Sequence, residues 1–574
     1  MTTTSTTPTT PTATPDVLVV GAGPTGMLLA CALVHHGLSV RIIDAGKGPT
    51  LASKAQVLQA RTLEILEQLG FVDRFLERGW PLHLLSMYNQ DMKRLFHIII
   101  GELDSRYPFM LSLPQRETET LLCERLAELG VTIERQVHLV DLEQDARQVV
   151  ACVKRAGCDG QEQIRAAWLV GCDGSNSVVR RALGLEFSGS TYTQRVLQAD
   201  VCIDWPLRHA DDEMIGFVSE HGPIGAFPLP GRNRYRLLAF DAGLGPSLEN
   251  FQLLLDTRGP KGARVSDPAW MTEYSIQCRM VSELRKGRVF LAGDAAHTFS
   301  PATGQGMNCG MQDAYNLAWK LALCHKELGS PLLLDSYSAE RASVARALLE
   351  VTDSATRGMQ ELFTLYNPAA QGLRDSLLRF VTSIGLVQRR VARNLSMLDV
   401  GYRRSPIVGQ NHTTRLSADH EPGDSISLRD WLDFGHGPGP GERAFDGPLI
   451  DGTAHGATRL FEILSARKHT LLLFGGLMNG DDSYDRLAAI EQFVLTRYPE
   501  LVQSLFVQIV PGPQERPQLL REGPMIFDRN ALLHQTYGAR GECLYLIRPD
   551  GYVGYRGQPA DQQKFAEYLA RIFI

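Results

Sequence analysis

The feature that most constrains this chain lies near its start. There Asp16-Val-Leu-Val-Val-Gly-Ala-Gly-Pro-Thr-Gly26 runs into an apolar helical pattern, and Val40-Arg-Ile-Ile then ends on Asp44. Val17 to Val20 reads as a buried parallel strand. Gly21 permits the tight turn, Gly23 lets the backbone approach a pyrophosphate, and Gly26 lets the next helix pack on the strand. The pyrophosphate would rest on the N-terminus of a helix from Thr25 to Gly37, where free N–H groups and the dipole favour an anion. Asp44, roughly twenty residues past the first glycine, stands where a carboxylate would grip a ribose hydroxyl. Strand, three glycines, helix, second strand and terminal acid coincide, so a dinucleotide-binding βαβ unit is expected rather than a ligand-free turn.

Two later motifs narrow the dinucleotide. Trp168-Leu-Val-Gly-Cys-Asp-Gly-Ser175 sits mid-chain, and Gly287-Arg-Val-Phe-Leu-Ala-Gly-Asp-Ala-Ala-His297 is followed by Gly304-Gln-Gly-Met-Asn308. Together the three make sense around a flavin, held non-covalently as FAD. Gly304 to Asn308 opens a helix, so the unpaired N–H groups near Gly306, Met307 and Asn308 face whatever lies before it. Such a terminus stabilises negative charge on the pyrimidine end of a reduced flavin without any catalytic side chain.

The 574 residues carry a formal net charge of −6, which gives no footprint for nucleic acid or anionic membrane. Ten scattered cysteines show neither Cys-x-x-Cys nor zinc spacing. They read as reduced thiols, no metal site is expected, and Cys31, Cys172 and Cys309 read as small packing residues. Residues 1–15, almost all Thr, Pro and Ser, read as a disordered tail lacking the marks of a signal or transit peptide. Val17 to Val34 is the one apolar run long enough to suggest a membrane span, but its glycines and proline sit at dinucleotide-turn spacing. A cytoplasmic location is expected.

The expected fold is α/β: a Rossmann-like FAD-binding domain with an inserted antiparallel-sheet substrate domain, a helical segment and a C-terminal thioredoxin-like domain. Residues 16–190 alternate strand and helix, with helical spacing over Arg61 to Gly70 and Glu117 to Gly130. Residues 191–280 hold short strands parted by turn residues. Residues 281–400 return to the nucleotide fold and continue as helices, Met307 to Leu328 and Leu332 to about Arg393. Residues 401–455, which include Gly435-His-Gly-Pro-Gly-Pro-Gly441, read as a linker. In residues 456–574 a strand at Thr470, a helix to Arg497, a strand at Leu505, a hairpin turning at Asp550-Gly551 and a last helix follow a thioredoxin-like order. Without the dithiol, a structural or dimer-contact role is expected there rather than disulfide chemistry.

On these motifs the chain resembles the group A flavoprotein aromatic hydroxylases of the p-hydroxybenzoate hydroxylase superfamily, in the phenol-type branch with a thioredoxin-like C-terminal domain. The resemblance covers nearly everything from Asp16 onward. It implies that Gly21, Gly23, Gly26 and Asp44 form the FAD fingerprint, and that Asp173 and Gly174 help bind both FAD and the reduced nicotinamide. It implies that Gly293 and Asp294 hold the ribityl chain and that Gln115, beside Arg116, contacts FAD. Lys54 stands where many relatives carry an arginine near the flavin, which keeps the cation and loses the fork. Pro301 and Gly304 would flank the reactive flavin carbon, with Thr303 departing from the usual glycine. The implied chemistry is hydroxylation: NADPH or NADH reduces FAD, O2 adds to give a C4a-hydroperoxide, and its terminal oxygen passes to an activated ring while water is excluded. The nicotinamide would dock transiently, and a homodimer is the expected assembly.

A small aromatic substrate is expected to meet the middle sheet. Ile215, Phe227 and Pro228 would form an apolar wall, Arg234 or Arg236 would meet a substrate carboxylate or the flavin, and His221, Tyr192 or Tyr235 would activate a phenol. Strand alternation is expected to turn one of the two arginines outward. His297 reads as a structural hydrogen-bonding residue. The substrate stays open between a simple phenol and a polycyclic natural product. A Baeyer–Villiger-type or antibiotic-inactivating monooxygenase, and a non-catalytic FAD-binding sensor or scaffold, also stay open.

Overall fold

The computed structural model describes residues 14–49, 55–89, 91–205, 211–219, 221–241, 243–301, 304–363, 382, 384–412, 428–451, 457–477, 481–510 and 524–574. The expected roles of Lys54 and Thr303, and of the N-terminal tail up to residue 13, lie outside these.

The run Val17–Val20 is buried along its whole length because it sits centrally in a six-stranded sheet. The order is Arg285–Lys286, Val289–Leu291, Trp168–Gly171, Val17–Val20, Val40–Asp44, Ile133–Arg135. Pairing is parallel except at the Arg285–Lys286 edge, which accounts for strands without polar alternation. The helix Pro24–His35 starts with proline in its first turn and is followed by Gly37 at φ +79°. It packs against the long helix Gly306–His325.

A second large sheet runs His297–Thr298, Arg264–Met280, Ser188–Asp204, Arg234–Asp241, Gly222–Pro228, Glu213–Ser219, Leu84–Asn89, Arg94–Ile99. Its last two strands come from far earlier in the chain, and Leu84–Asn89 joins it in parallel. One face, with Ile215, Phe217, Tyr235 and Leu237, is covered by Phe251, Leu254 and Leu255 of the helix Leu248–Arg258. Met214 and Phe227 belong to the opposite face and pack with Leu82, Ile98, Ile100 and Ala392, the last from the helix Gly385–Leu395.

The expected linker is not a free connection. Its strands Gly409–His412 and Pro448–Asp451 join the C-terminal sheet, whose order is Gly409–His412, Val553–Gln558, Cys543–Ile547, His469–Phe474, Val502–Val510, Met525–Arg529, Pro448–Asp451, Ala457–Arg459. Gly435 and His436 close the helix Leu428–His436, and Gly441 is pressed onto Tyr402 while its N–H bonds the Val553 carbonyl at 2.7 Å. The glycine- and proline-rich composition pointed to irregular backbone, but Gly435 and His436 are helical and the segment is packed. Backbone hydrogen bonds to strands far along the chain, such as Gly441 to Val553, leave no local signature.

Candidate functional site

The three motifs meet in space through close backbone contacts. A Cβ built on Gly21 (φ +105°) would stand 2.3 Å from the Cys172 carbonyl oxygen, so the first turn and the mid-chain motif are in van der Waals contact. At Gly26 it would stand 2.0 Å from the Gly21 carbonyl oxygen, which is the strand–helix contact only glycine allows. Thr25 joins the third motif, lying where Cβ atoms on Gly293 and Gly310 would fall 2.6 and 2.4 Å from its hydroxyl. Gly23, in contrast, faces open space, as a backbone approached by a ligand must.

Around this point the polar groups are tightly held. Asp44 accepts from the Ala22 and Gly46 N–H groups at 2.7 Å each, and Arg135 of the neighbouring strand lies 3.3 Å away. Asp294 is exposed between the buried Gly293 and Ala295. The Gly293 N–H donates to Asp313 at 3.0 Å, and His297 Nε2 and Arg341 Nε approach the same carboxylate at 2.7 and 2.6 Å. Burial alone would raise the Asp313 carboxyl, but His297 and Arg341 outweigh it and hold it below the usual range. His297 is thus a buried hydrogen-bonding residue. Cys172 and Cys309 are buried thiols pushed up by desolvation, which suits packing and not nucleophilic chemistry.

The helix Gly306–His325 begins after Gly304 (φ +63°), whose N–H returns to the Pro301 carbonyl at 3.0 Å. Asn308 ties this first turn to residues 57–62. Its oxygen accepts from Gln59 N–H and the Thr62 hydroxyl at 2.9 and 2.8 Å, and its amide donates to the Val57 carbonyl at 2.8 Å. Gln56 in turn donates to the Pro228 carbonyl at 3.0 Å, as does Ser112 at 2.6 Å. The motif helix, the segment after residue 54 and the end of the Gly222–Pro228 strand are therefore one braced unit. Among the described residues, both amide atoms of Gln59 and the oxygen of Gln305 are buried without a partner. Orphaned polar atoms beside a helix start are what a bound group with donors and acceptors of its own would satisfy. The residues present fit FAD.

Several expected roles change on geometry. Arg234 and Arg236 lie two apart on one strand and so share a face; alternation does not separate them. Arg234 pairs outward with Asp267. Arg236 is fully buried, clamps Asp200 through Nε and Nη2 at 2.6 and 2.8 Å, and donates to the Ala55 carbonyl at 2.9 Å. It braces the segment that follows Lys54. Ile215 and Tyr235 face the helix Leu248–Arg258 rather than the motif side. His221 is exposed at a hairpin tip, six residues along the chain from Phe227. Tyr192 packs against the cluster of Val196, Ile276 and Cys278. The Asp173 carboxylate is held at the start of the following helix, Val178–Ala182, accepting from Ser177 Oγ and Val178 N–H at 2.5 and 2.6 Å. Gln115 spends its side chain on Ala55 N–H and Glu119. The spacing of Asp313, Asn316 and Lys320 along an apolar helix was the signal that would have revealed the buried polar side of this site.

Comparisons with known proteins show the family. The family described as FAD binding domain matches residues 14–352. The chain is 36% identical to 6-methylpretetramide 4-monooxygenase of Streptomyces rimosus, over 95% of this chain and 91% of that one. It is 31% identical to pentachlorophenol 4-monooxygenase of Sphingobium chlorophenolicum, over 94% and 93%. Its fold matches that of the flavin-dependent monooxygenase PieE, solved with FAD and substrate, at a TM-score of 0.75 with 22% identity, covering 98% of this chain and all of that one. On this family match and these relatives, the chain belongs to the FAD-dependent aromatic hydroxylases of the p-hydroxybenzoate hydroxylase superfamily and is an FAD-dependent monooxygenase.

Proposed function

We propose that the enzyme hydroxylates a phenolic ring held between FAD and the Met214–Phe227 face of the second sheet, with NADPH or NADH as reductant. The observation that carries this is the bracing of the motif-helix start, through Asn308 and Gln56, to the carbonyl of Pro228 beside that apolar face. Bound FAD would supply the acceptance of a hydride and the activation of O2. The chain's own residues do the rest. Gly23 and the Pro24–His35 helix start take the pyrophosphate, Asp44 the ribose, and Asp294 the ribityl chain. The N–H groups of Gly306, Met307 and Asn308 stabilise negative charge on the pyrimidine ring. Pro301 and Gly304 shape the turn over the reacting atoms. Phe227, Met214 and the helix Gly385–Leu395 exclude water, so that oxygen reaches the ring and is not lost as peroxide. A relative named for pentachlorophenol supports a phenol, and one named for 6-methylpretetramide supports a larger substrate on the same scaffold.

We further read residues 16–190 with 281–400 as the FAD-binding domain, 191–280 as the substrate domain and 456–574 as a thioredoxin-like unit. The mixed strand order around His469–Phe474 and the buried, solitary Cys543 support a thioredoxin-like unit without redox chemistry.

The test is NADPH and NADH oxidation under air across simple phenols, phenolic acids and polycyclic phenols, with oxygen uptake, peroxide and product mass followed together. A compound that accelerates oxidation and gains one oxygen is expected. Acceleration that yields only peroxide for every phenol, or ring expansion by oxygen insertion beside a ketone, would sink the hydroxylase reading.

A further inference from the structure

The turn Arg548 to Gly551 of the C-terminal hairpin is buried inside the FAD-binding part of the chain. Arg548 meets Glu340 with both outer nitrogens at 2.6 and 3.0 Å and Asp550 through Nε at 2.9 Å. Asp550 accepts from Trp319 and Asn316 at 3.2 Å each, and its carbonyl accepts from Arg61. Glu340 also takes Lys320 at 2.7 Å and Ser405 at 2.6 Å. These are charged groups of near-zero exposure, Arg548 at 2% and Asp550 at 1%.

Two routes leave this cluster, one ending on the Gly293 backbone and the other on the Asn308 side chain, both in turns assigned above to FAD. Glu340 is followed by Arg341, which holds Asp313 at 2.6 Å, and Asp313 holds the Gly293 N–H at 3.0 Å. Arg61 is followed by Thr62, whose hydroxyl bonds Asn308 at 2.8 Å in the first turn of the motif helix. Buried ion pairs of this kind add little net stability over apolar packing, because desolvation offsets their attraction. What they supply is one fixed arrangement.

We propose that Arg548 and Asp550 are positioning residues for the flavin. The C-terminal unit, through this turn, sets the geometry of the Gly293-Asp294 turn and of the Gly306 helix start. The inference rests on the FAD assignments made under Proposed function.

The full-length holoenzyme variants Arg548→Lys and Asp550→Asn test it, with Leu473→Ala as a control in the same sheet but away from the turn. Leu473 is fully buried and makes none of the network's hydrogen bonds, so its truncation lowers thermal stability while leaving those bonds in place. FAD dissociation constant, visible flavin spectrum and the peroxide fraction of NAD(P)H turnover are read at a temperature where all variants are folded. Arg548→Lys and Asp550→Asn are expected to weaken FAD about tenfold, shift the spectrum and raise the peroxide fraction, while Leu473→Ala leaves all three unchanged. Lower melting temperature with unchanged FAD affinity and spectrum in both turn variants would overturn the inference. If Arg548→Lys fails to fold, the isosteric Asp550→Asn decides alone. Asp294→Ala separates the levels: retained FAD there would sink the site assignment itself, whereas lost FAD there with intact turn variants sinks only the role of the turn.

Discussion

At the scale of single residues, the site depends on where a side chain must be absent as much as on where one must be present. Gly26→Ala would force a methyl to within 2.0 Å of the Gly21 carbonyl oxygen, separating strand from helix. A loss of about 1–3 kcal/mol is expected from such overpacking, together with weakened FAD, read by denaturant unfolding and flavin fluorescence on dilution. Unchanged midpoint and affinity would mean the helix start is looser than the backbone contact implies. Asp294→Ala, at an exposed position between two buried small residues, should act chiefly on cofactor binding. Its FAD affinity should fall by tenfold or more, roughly the loss of a charge-assisted hydrogen bond. Flavin absorbance per mole of purified protein reads this directly.

At the scale of elements, the second sheet has two faces with different work, and a pair of substitutions tells them apart. Ile215 is buried under Leu248–Arg258, whereas Phe227 lies on the face shared with Met214 and Ala392. Ile215→Ala should cost about 2–4 kcal/mol of stability and leave substrate KM unchanged. Phe227→Ala should cost less, because Phe227 is only partly buried, and should raise substrate KM and peroxide release. The opposite assignment of effects would show that the substrate face has been inverted. From sequence both residues are candidates for the substrate side, because period-two alternation says which residues share a face but not which face meets the flavin. That choice was made by the helix Leu248–Arg258, and the same reasoning, applied correctly, groups Arg234 with Arg236.

At the scale of the whole molecule, acid should act on the buried histidines. Burial, with cationic neighbours, pulls His36 and His469 from 6.5 down to about 3 each. Between pH 6.5 and 3 the unfolded chain therefore binds protons that the folded chain refuses. Their contribution is complete above pH 6.5 and is lost on acidification, at up to about 1.4 kcal/mol per pH unit for each histidine. Unfolding midpoints between pH 7.5 and 5, compared with His469→Gln, should show a shallower decline in the variant; parallel curves would exclude His469. His469 sits between Trp319 of the motif helix and Phe573 of the last segment, so its share of the acid response belongs to the contact between the motif helix and the C-terminal unit. The dinucleotide-type turn was legible in the sequence because Gly21, Gly23, Gly26 and Asp44 are local: each is dictated by a turn, a close approach or a strand end within one βαβ unit. The same holds for the Gly293-Asp294 turn and the Gly306 helix start. The partners of Arg236, the facing of Ile215 and the burial of Arg548 and Asp550 were decided only in the tertiary structure. Each depends on contacts between segments far apart in the chain, and a charge next to a turn looks the same in sequence whether it meets water or a buried carboxylate.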